Sequence, residues 1–158
     1  MKVVTNTTPI LSLSAINRLS LLNELFGKFY IPCAVHQEIK AKNSLGYSEI
    51  DRMDVEIIAV QNKDYLNLLC NELDKGEAEA IVLAKELNAD ILVIDERLGY
   101  KIAQSQQLYP IGTLTILELA KKKNLIECVT PLLDELISKG RWYSKNVRDN
   151  FLKQIGEL

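Results

Sequence analysis

Apolar residues along the chain follow two rhythms. Short apolar runs, "KVVT" (2–5), "KFYI" (28–31), "VEIIAV" (55–60), "DILVI" (90–94) and "LYPI" (108–111), read as strands. Between them apolar residues recur at helical spacing: 19–26, with Leu19, Leu22 and Phe26 on one stripe, 32–40, opening with Pro at a helix start, 65–73, 77–87, 97–106, 113–123, 129–140 and 144–156. Alternating strands and helices imply βαβ units, hence a parallel sheet with helices on both faces. Ligands of such sheets bind beyond the carboxyl ends of the strands. The turn "SKGRWYS" (138–144) sets a C-terminal helix apart from the main body.

Composition narrows this picture. A chain of 158 residues is most simply one domain, burying about two-thirds of its unfolded surface. With 47% hydrophobic and 25% charged residues it reads as an ordinary globular protein. A net charge of -2 gives no general affinity for polyanions, so any nucleic-acid contact needs a local basic patch. Cys33, Cys70 and Cys128 are odd in number and set among apolar residues, which predicts reduced, buried thiols and a cytoplasmic protein. Together with the single His36 they argue against zinc. No secretory signal and no run of about 20 apolar residues is present, so no membrane contact is expected. A nucleotide-binding reading lacks G-x-G-x-x-G and Walker A sequences, and the acids and lysine of a phospho-receiver domain are not evident.

Candidate chemistry sits at the strand ends. In "VVTNTTPI" a strand gives way to Asn6, Thr7, Thr8 and Pro9, which read either as a helix start or as the rim of a site. In "DILVIDER" Asp95 follows its strand directly, as a cap or as a catalytic acid on the same edge as Asn6. In "DKGEAEAIVLAKEL" Gly76 can cap a helix, and Glu77 shares a face with Ala80, Ile81 and Ala84, so it heads a buried stripe. Glu77 and Glu79 also suit a helix N-terminal dipole. Glu38 reads either as an ion-pair partner of Lys42 or as a further site acid, and His36 as a surface or boundary residue. Metal-dependent hydrolysis of a phosphodiester needs converging oxygen ligands for Mg²⁺ or Mn²⁺, and Asn6, Glu38, Glu77 and Asp95 are, apart from the neutral Asn6, the residue types for it.

Three stretches, "VVTNTTPILSLSAINRLSLLNELFGKFYIPCAVHQEI", "LDKGEAEAIVLAKELNADILVIDERLGYKIA" and "PIGTLTILELAKKKNLI", with the ending "YSKNVRDNFLKQIGEL", resemble the PIN-domain superfamily, in particular a VapC-like branch of prokaryotic proteins. The resemblance covers nearly the whole chain. It implies a three-layer α/β/α sandwich with a central, mainly parallel sheet over residues 1–158, in which 129–158 form a C-terminal helical extension. It implies a metal-dependent endoribonuclease using Mg²⁺ or Mn²⁺, with RNA as substrate, a homodimer, and the toxin role of a toxin–antitoxin pair with an antitoxin protein as partner. The family's acids carry over as Glu38, Glu77 and Asp95. Its first acid, usually Asp, falls on Asn6, which keeps a carbonyl oxygen but loses the charge and so predicts weaker metal binding. Thr8 and Thr113 fall where hydroxyls support those acids, and Glu79 and Glu96 are further acids nearby. The alternative is a PIN-like module that binds nucleic acid or protein without cleaving.

A basic stretch supplies the patch the net charge lacks. Lys139, Arg141, Lys145, Arg148 and Lys153 surround Trp142 and Tyr143, with Asp149 the only acid between Lys139 and Lys153. Arg141, Lys145 and Arg148 are candidate nucleic-acid ligands, with Trp142 either stacking on bases or pinning the last helix to the core. Arg18, Lys40 and Lys42 offer another path.

Overall fold

A computed structural model of the protein describes residues 1–41 and 45–158. Strands β1 (Val3–Thr5), β2 (Phe29–Pro32), β3 (Val55–Ile58), β4 (Ile91–Val93) and β5 (Pro110–Ile111) form one sheet in the order β3-β2-β1-β4-β5. Every pairing is parallel. All five expected strands are present, each within the apolar run that predicts it or a residue past its end. The order reverses at β1, with β2 on one side and β4 on the other, so the ends of these three strands flank the crevice where ligands bind in open α/β sheets.

Helices α1 (Thr7–Ala15), α2 (Leu21–Phe26), α3 (Cys33–Ala41), α4 (Lys63–Leu69), α5 (Lys75–Glu86), α6 (Arg97–Ser105), α7 (Thr113–Lys122), α8 (Thr130–Ser138) and α9 (Lys145–Gln154) cover both faces. The period of two along the strands divides the core. Val3, Phe29, Ile31, Val93 and Ile111 pack with Ile10 and Leu13 of α1, Leu22 of α2, Leu117 of α7 and Leu133 of α8. Val4, Leu92 and Ile94 pack on the other face with Leu66 of α4, Ile81 and Leu83 of α5 and Ala103 of α6. The architecture is a three-layer α/β/α sandwich. Each fully buried Leu, Ile or Val contributes about 1.5–3 kcal/mol.

Several expectations change at this level. Helix α1 has no polar face: Thr7, Pro9, Ile10, Ser12, Leu13, Ser14 and Ala15 are all buried, which erases the periodicity that marks a surface helix. Pro32 ends β2, paired with Ile58, and the helix begins only at Cys33. The thiols are free, but Cys70 and Cys128 are exposed and Cys33 is half-buried, so the expected burial does not hold. They lie at element ends, beyond the apolar faces that flank them in sequence. Lys42, the expected partner of Glu38, lies outside the described residues. Among the described residues no helix is long and apolar enough to cross a membrane.

The C-terminus is fixed by one carboxylate. Glu157 accepts from Val129 N and Thr130 N, both at 2.8 Å, from the Thr130 hydroxyl at 2.5 Å, and from Lys121 Nζ at 2.8 Å. Burial pushes this carboxyl up, but the bonds from Lys121, Thr130 and Val129 outweigh it and bring it down to about 2. Glu157 thus supplies the cap that Val129 cannot give to α8.

Candidate active site at the strand ends

Asn6 prolongs β1 by one bond: its N–H donates to Val93 O at 2.9 Å. It then occupies the N-cap position of α1 with extended backbone, where an Asn side chain ordinarily bonds to the first turn. It makes no such bond. The residue is 3% exposed, and among the described residues its Oδ1 has no hydrogen-bond partner. An unpaired buried oxygen costs about 1–3 kcal/mol, so the capping reading does not account for Asn6.

The neighbouring hydroxyl has a defined task. Thr7 Oγ1 donates to Glu38 Oε2, which joins the start of α1 to α3. The same carboxylate lies over Gly76 in the first turn of α5. A Cβ on Gly76 would meet Glu38 Oε2 at 2.8 Å, so glycine here allows the close approach. Gly76 is therefore not the cap of α5; Asp74 is, its Oδ1 accepting from Glu77 N at 2.8 Å. Thr8, expected to support the site, is half-buried, and the hydroxyl that reaches Glu38 belongs to Thr7. No sequence signal separated the two threonines.

Glu77 completes the capping box of α5, but its return bond from Asp74 N is long, at 3.4 Å. Its side chain is buried at the head of the stripe that the sequence predicts. Burial, then the charge of Asp74, pushes its carboxyl up to about 7; the backbone bond from Asp74 opposes this, and Glu96 and Glu38 add to it. The charges of Asp74, Glu96 and Glu38 thus all act on Glu77. Glu79 stands apart: buried, it accepts from Ala34 N at 3.0 Å and caps α3 instead of its own helix.

Asp95 follows β4 and is half-buried. Its Oδ1 accepts from Thr113 N at 2.8 Å and its Oδ2 from the Thr113 hydroxyl at 2.7 Å. Asp95 thus caps α7, whose own N-cap position is Gly112. A Cβ on Gly112 would stand 2.9 Å from Asp95 Oδ1. The cap reading of Asp95 is right in kind, but the helix served belongs to the next strand. Tyr143, from the turn before α9, lies on the other side. Burial and then the charge of Asp95 push its hydroxyl up to about 12, with Arg141 opposing. Along the carboxyl edge, the ends of β1, β4 and β5 thus carry Asn6, Asp95 and Thr113 in order, and Glu38 and Glu77 come together at the starts of α1 and α5.

A family model described as PIN domain matches residues 2–157. The chain belongs to the PIN-domain family. No curated protein and no solved structure shows a significant match to it.

The family implies a divalent metal, and the donors suit one in part. A buried Asn6 oxygen, unpaired among the described residues, and the Glu77 carboxyl, pushed up by burial and then by neighbouring negative charge, both gain from a hard cation. Among the described residues no three Asp, Glu, His or Cys side chains stand grouped as a metal-binding set. Fit therefore rests on one or two carboxylates plus Asn6 Oδ1 and water, a set Mg²⁺ commonly accepts.

Of the basic residues, Arg148 is engaged by Asp134, at 3.0 Å, and by Asp149, at 3.1 Å. Lys139 pairs with Glu135 at 3.1 Å and donates to Ala15 O at 2.6 Å, while Lys145 is exposed. Trp142 does not pin the last helix: it is 84% exposed, and Tyr143, Phe151, Leu152 and Ile155 make the core contact instead. His36 is half-buried.

Proposed function

We propose that this PIN-domain protein is a metal-dependent ribonuclease acting at the carboxyl edge of β1 and β4. The observation that carries the reading is the buried Oδ1 of Asn6, unpaired among the described residues, one residue before the Thr7 hydroxyl that holds Glu38. One or two of Glu77, Asp95 and Glu38, with Asn6 Oδ1 and water, are the proposed ligands of Mg²⁺ or Mn²⁺, and Glu38, Glu77 and Asp95 are the proposed catalytic acids. The cation, when bound, would neutralise phosphate charge and supply an activated water. Thr7 fixes Glu38, and Thr113 fixes the plane of the Asp95 carboxylate, so neither acid has to reorganise when a phosphate arrives. Glu77, held near 7 without metal, keeps a proton close to neutrality that it can give up on binding a cation. Arg141 and Lys145 are proposed phosphate contacts; Arg148 would have to leave Asp134 and Asp149 to join them.

Cleavage of a labelled RNA in Mn²⁺, with EDTA and Asp95→Asn as controls, tests this. Cleavage by the native chain that both controls abolish is expected; equal products from native protein and variant would overturn it. Asn6 favours a second reading, a module that holds RNA without cutting, because a neutral ligand lowers metal affinity. RNA binding with no cleavage at any divalent concentration would select it. The toxin role, an antitoxin partner and a homodimer are proposed on the family resemblance. Finding a neighbouring gene for a small DNA-binding protein would support the first two, and a solution mass of 17.9 kDa would refute the dimer.

A further inference from the structure

Four of the seven glycines lie at positive φ, where the backbone itself selects them. Gly76 and Gly112 do not. Gly76 is the second residue of α5, and alanine is the better helix former. Gly112 has φ -103 and ψ -179, extended backbone open to any residue. Neither conformation asks for glycine, so what matters at both positions is the missing Cβ.

In each case the room left by that Cβ holds a carboxylate. A Cβ on Gly76 would stand 2.8 Å from Glu38 Oε2 and 2.9 Å from Glu38 Cδ, and one on Gly112 would stand 2.9 Å from Asp95 Oδ1. Ordinary contact begins at about 3.4 Å, so alanine would push either carboxylate back by about half an ångström. What a methyl group would meet is the end of a side chain, which can move while the helix stays in place. Gly99 shows the contrast: a Cβ there would meet Ile94 Cδ1 at 2.7 Å, in the core between α6 and the sheet.

Both carboxylates are also held by a threonine. Glu38 accepts from the Thr7 hydroxyl, and Asp95 from the backbone and the hydroxyl of Thr113. A threonine bond and a glycine surface together fix where each carboxylate lies. A functional constellation tolerates errors of about 0.5 Å, the size of the displacement that one methyl group would impose.

We propose that Gly76 and Gly112 are positioning residues of the metal site, each omitting a Cβ so that Glu38 or Asp95 keeps the placement that cation binding needs. The inference rests on the metal-dependent reading of this edge. Neither glycine touches cation or substrate.

The test compares the full native chain with Gly76→Ala and Gly112→Ala, using Mn²⁺ alone as the probe. By calorimetric titration Gly76→Ala should bind Mn²⁺ about tenfold more weakly, and Gly112→Ala should lose less, because its methyl meets a single oxygen. In a Glu38→Asp background, where the carboxylate is drawn back from the methyl, Gly76→Ala should cost little further affinity. A readout without metal accompanies these. Thr7→Val should lower the urea midpoint of the native chain in EDTA, but not that of Gly76→Ala, in which the Thr7–Glu38 bond is already lost. Native Mn²⁺ affinity in either glycine variant would overturn the inference and leave the ribonuclease reading standing. So would an equal affinity loss in the Glu38→Asp background, an equal effect of Thr7→Val in both chains, or a Gly76→Ala chain that does not fold. No Mn²⁺ binding and no RNA cleavage by the native chain would overturn both.

Discussion

Replacing Glu77 by Gln should make the metal-free protein more stable at neutral pH, although it removes a proposed catalytic acid. Gln keeps the size of the side chain and can still accept from Asp74 N, so the capping box of α5 survives. What disappears is a charge that burial and Asp74 disfavour, with Glu96 and Glu38 adding to the effect. The native carboxyl rises from an ordinary 4.5 to about 7, so the folded state binds more protons than the unfolded chain between those values. Stability then falls as pH rises through that window. Converted at 1.36 kcal/mol per pH decade, the loss has a ceiling of about 3.4 kcal/mol. Water reaching the open edge of the sheet lowers the expected figure to about 2 kcal/mol.

Urea denaturation in EDTA, followed by far-ultraviolet circular dichroism, measures the effect; Trp142 is too exposed to report unfolding well. At pH 4 native protein and variant should agree within about 0.5 kcal/mol, because both carry a neutral side chain. By pH 8 Glu77→Gln should lead by about 2 kcal/mol. Mn²⁺ at pH 8 should narrow the gap by stabilising the native chain alone. Parallel pH profiles, or a variant weaker at pH 8, would refute the assignment of Glu77 as a strained carboxylate.

Three further outcomes follow from the same geometry. Asn6→Asp should bind Mn²⁺ more tightly by calorimetric titration and unfold more easily without it, since it adds a charge at a 3% exposed position. Glu157→Gln should cost about 2 kcal/mol at pH 7, and the deficit should close as pH falls from about 4.5 toward 2, where the native carboxylate takes its proton in the folded state as well. Thr113→Val keeps the backbone donor to Asp95 but removes the hydroxyl, so a loss of about 1 kcal/mol in denaturation and slower RNA cleavage are expected.

How much of this was legible in the sequence depends on the distance over which each feature acts. The strands are short β-branched runs, and each side chain's face follows from its neighbour's, so they could be read directly. Caps made within one turn, Ser144 on Val147 and Asp74 on Glu77, leave a local signature, although the sequence reading placed the cap of α5 at Gly76 and not at Asp74. Caps made across the fold leave none. Glu79 serves α3 from 45 residues away, Asp95 serves α7 from 18, and Glu157 serves α8 from 27 and 28. For Glu79 and Asp95 the local sequence suggests a nearby helix, and tertiary packing supplies a different one. Helix α1 was obscure for the opposite reason: buried on all sides, it has no polar face to set its period. The candidate residues at strand ends were recognisable by type, whereas the bond from Thr7 to Glu38 was not.

Asn6 ties these levels together. Its N–H extends the β1–β4 pairing, the next residue's hydroxyl holds Glu38, and among the described residues its own oxygen has no hydrogen-bond partner. A carboxylate at that position would enter a place only 3% exposed, next to the residue whose hydroxyl holds Glu38. Desolvation and like-charge repulsion would act on it together, as they do on Glu77. An amide presents the same oxygen without the charge, so the empty site is less strained and the cation less strongly attracted. The stability of the metal-free fold and the affinity for metal therefore depend in opposite directions on one atom group. Comparing Asn6 with Asp at that position, with and without Mn²⁺, reads both dependences in a single pair of proteins.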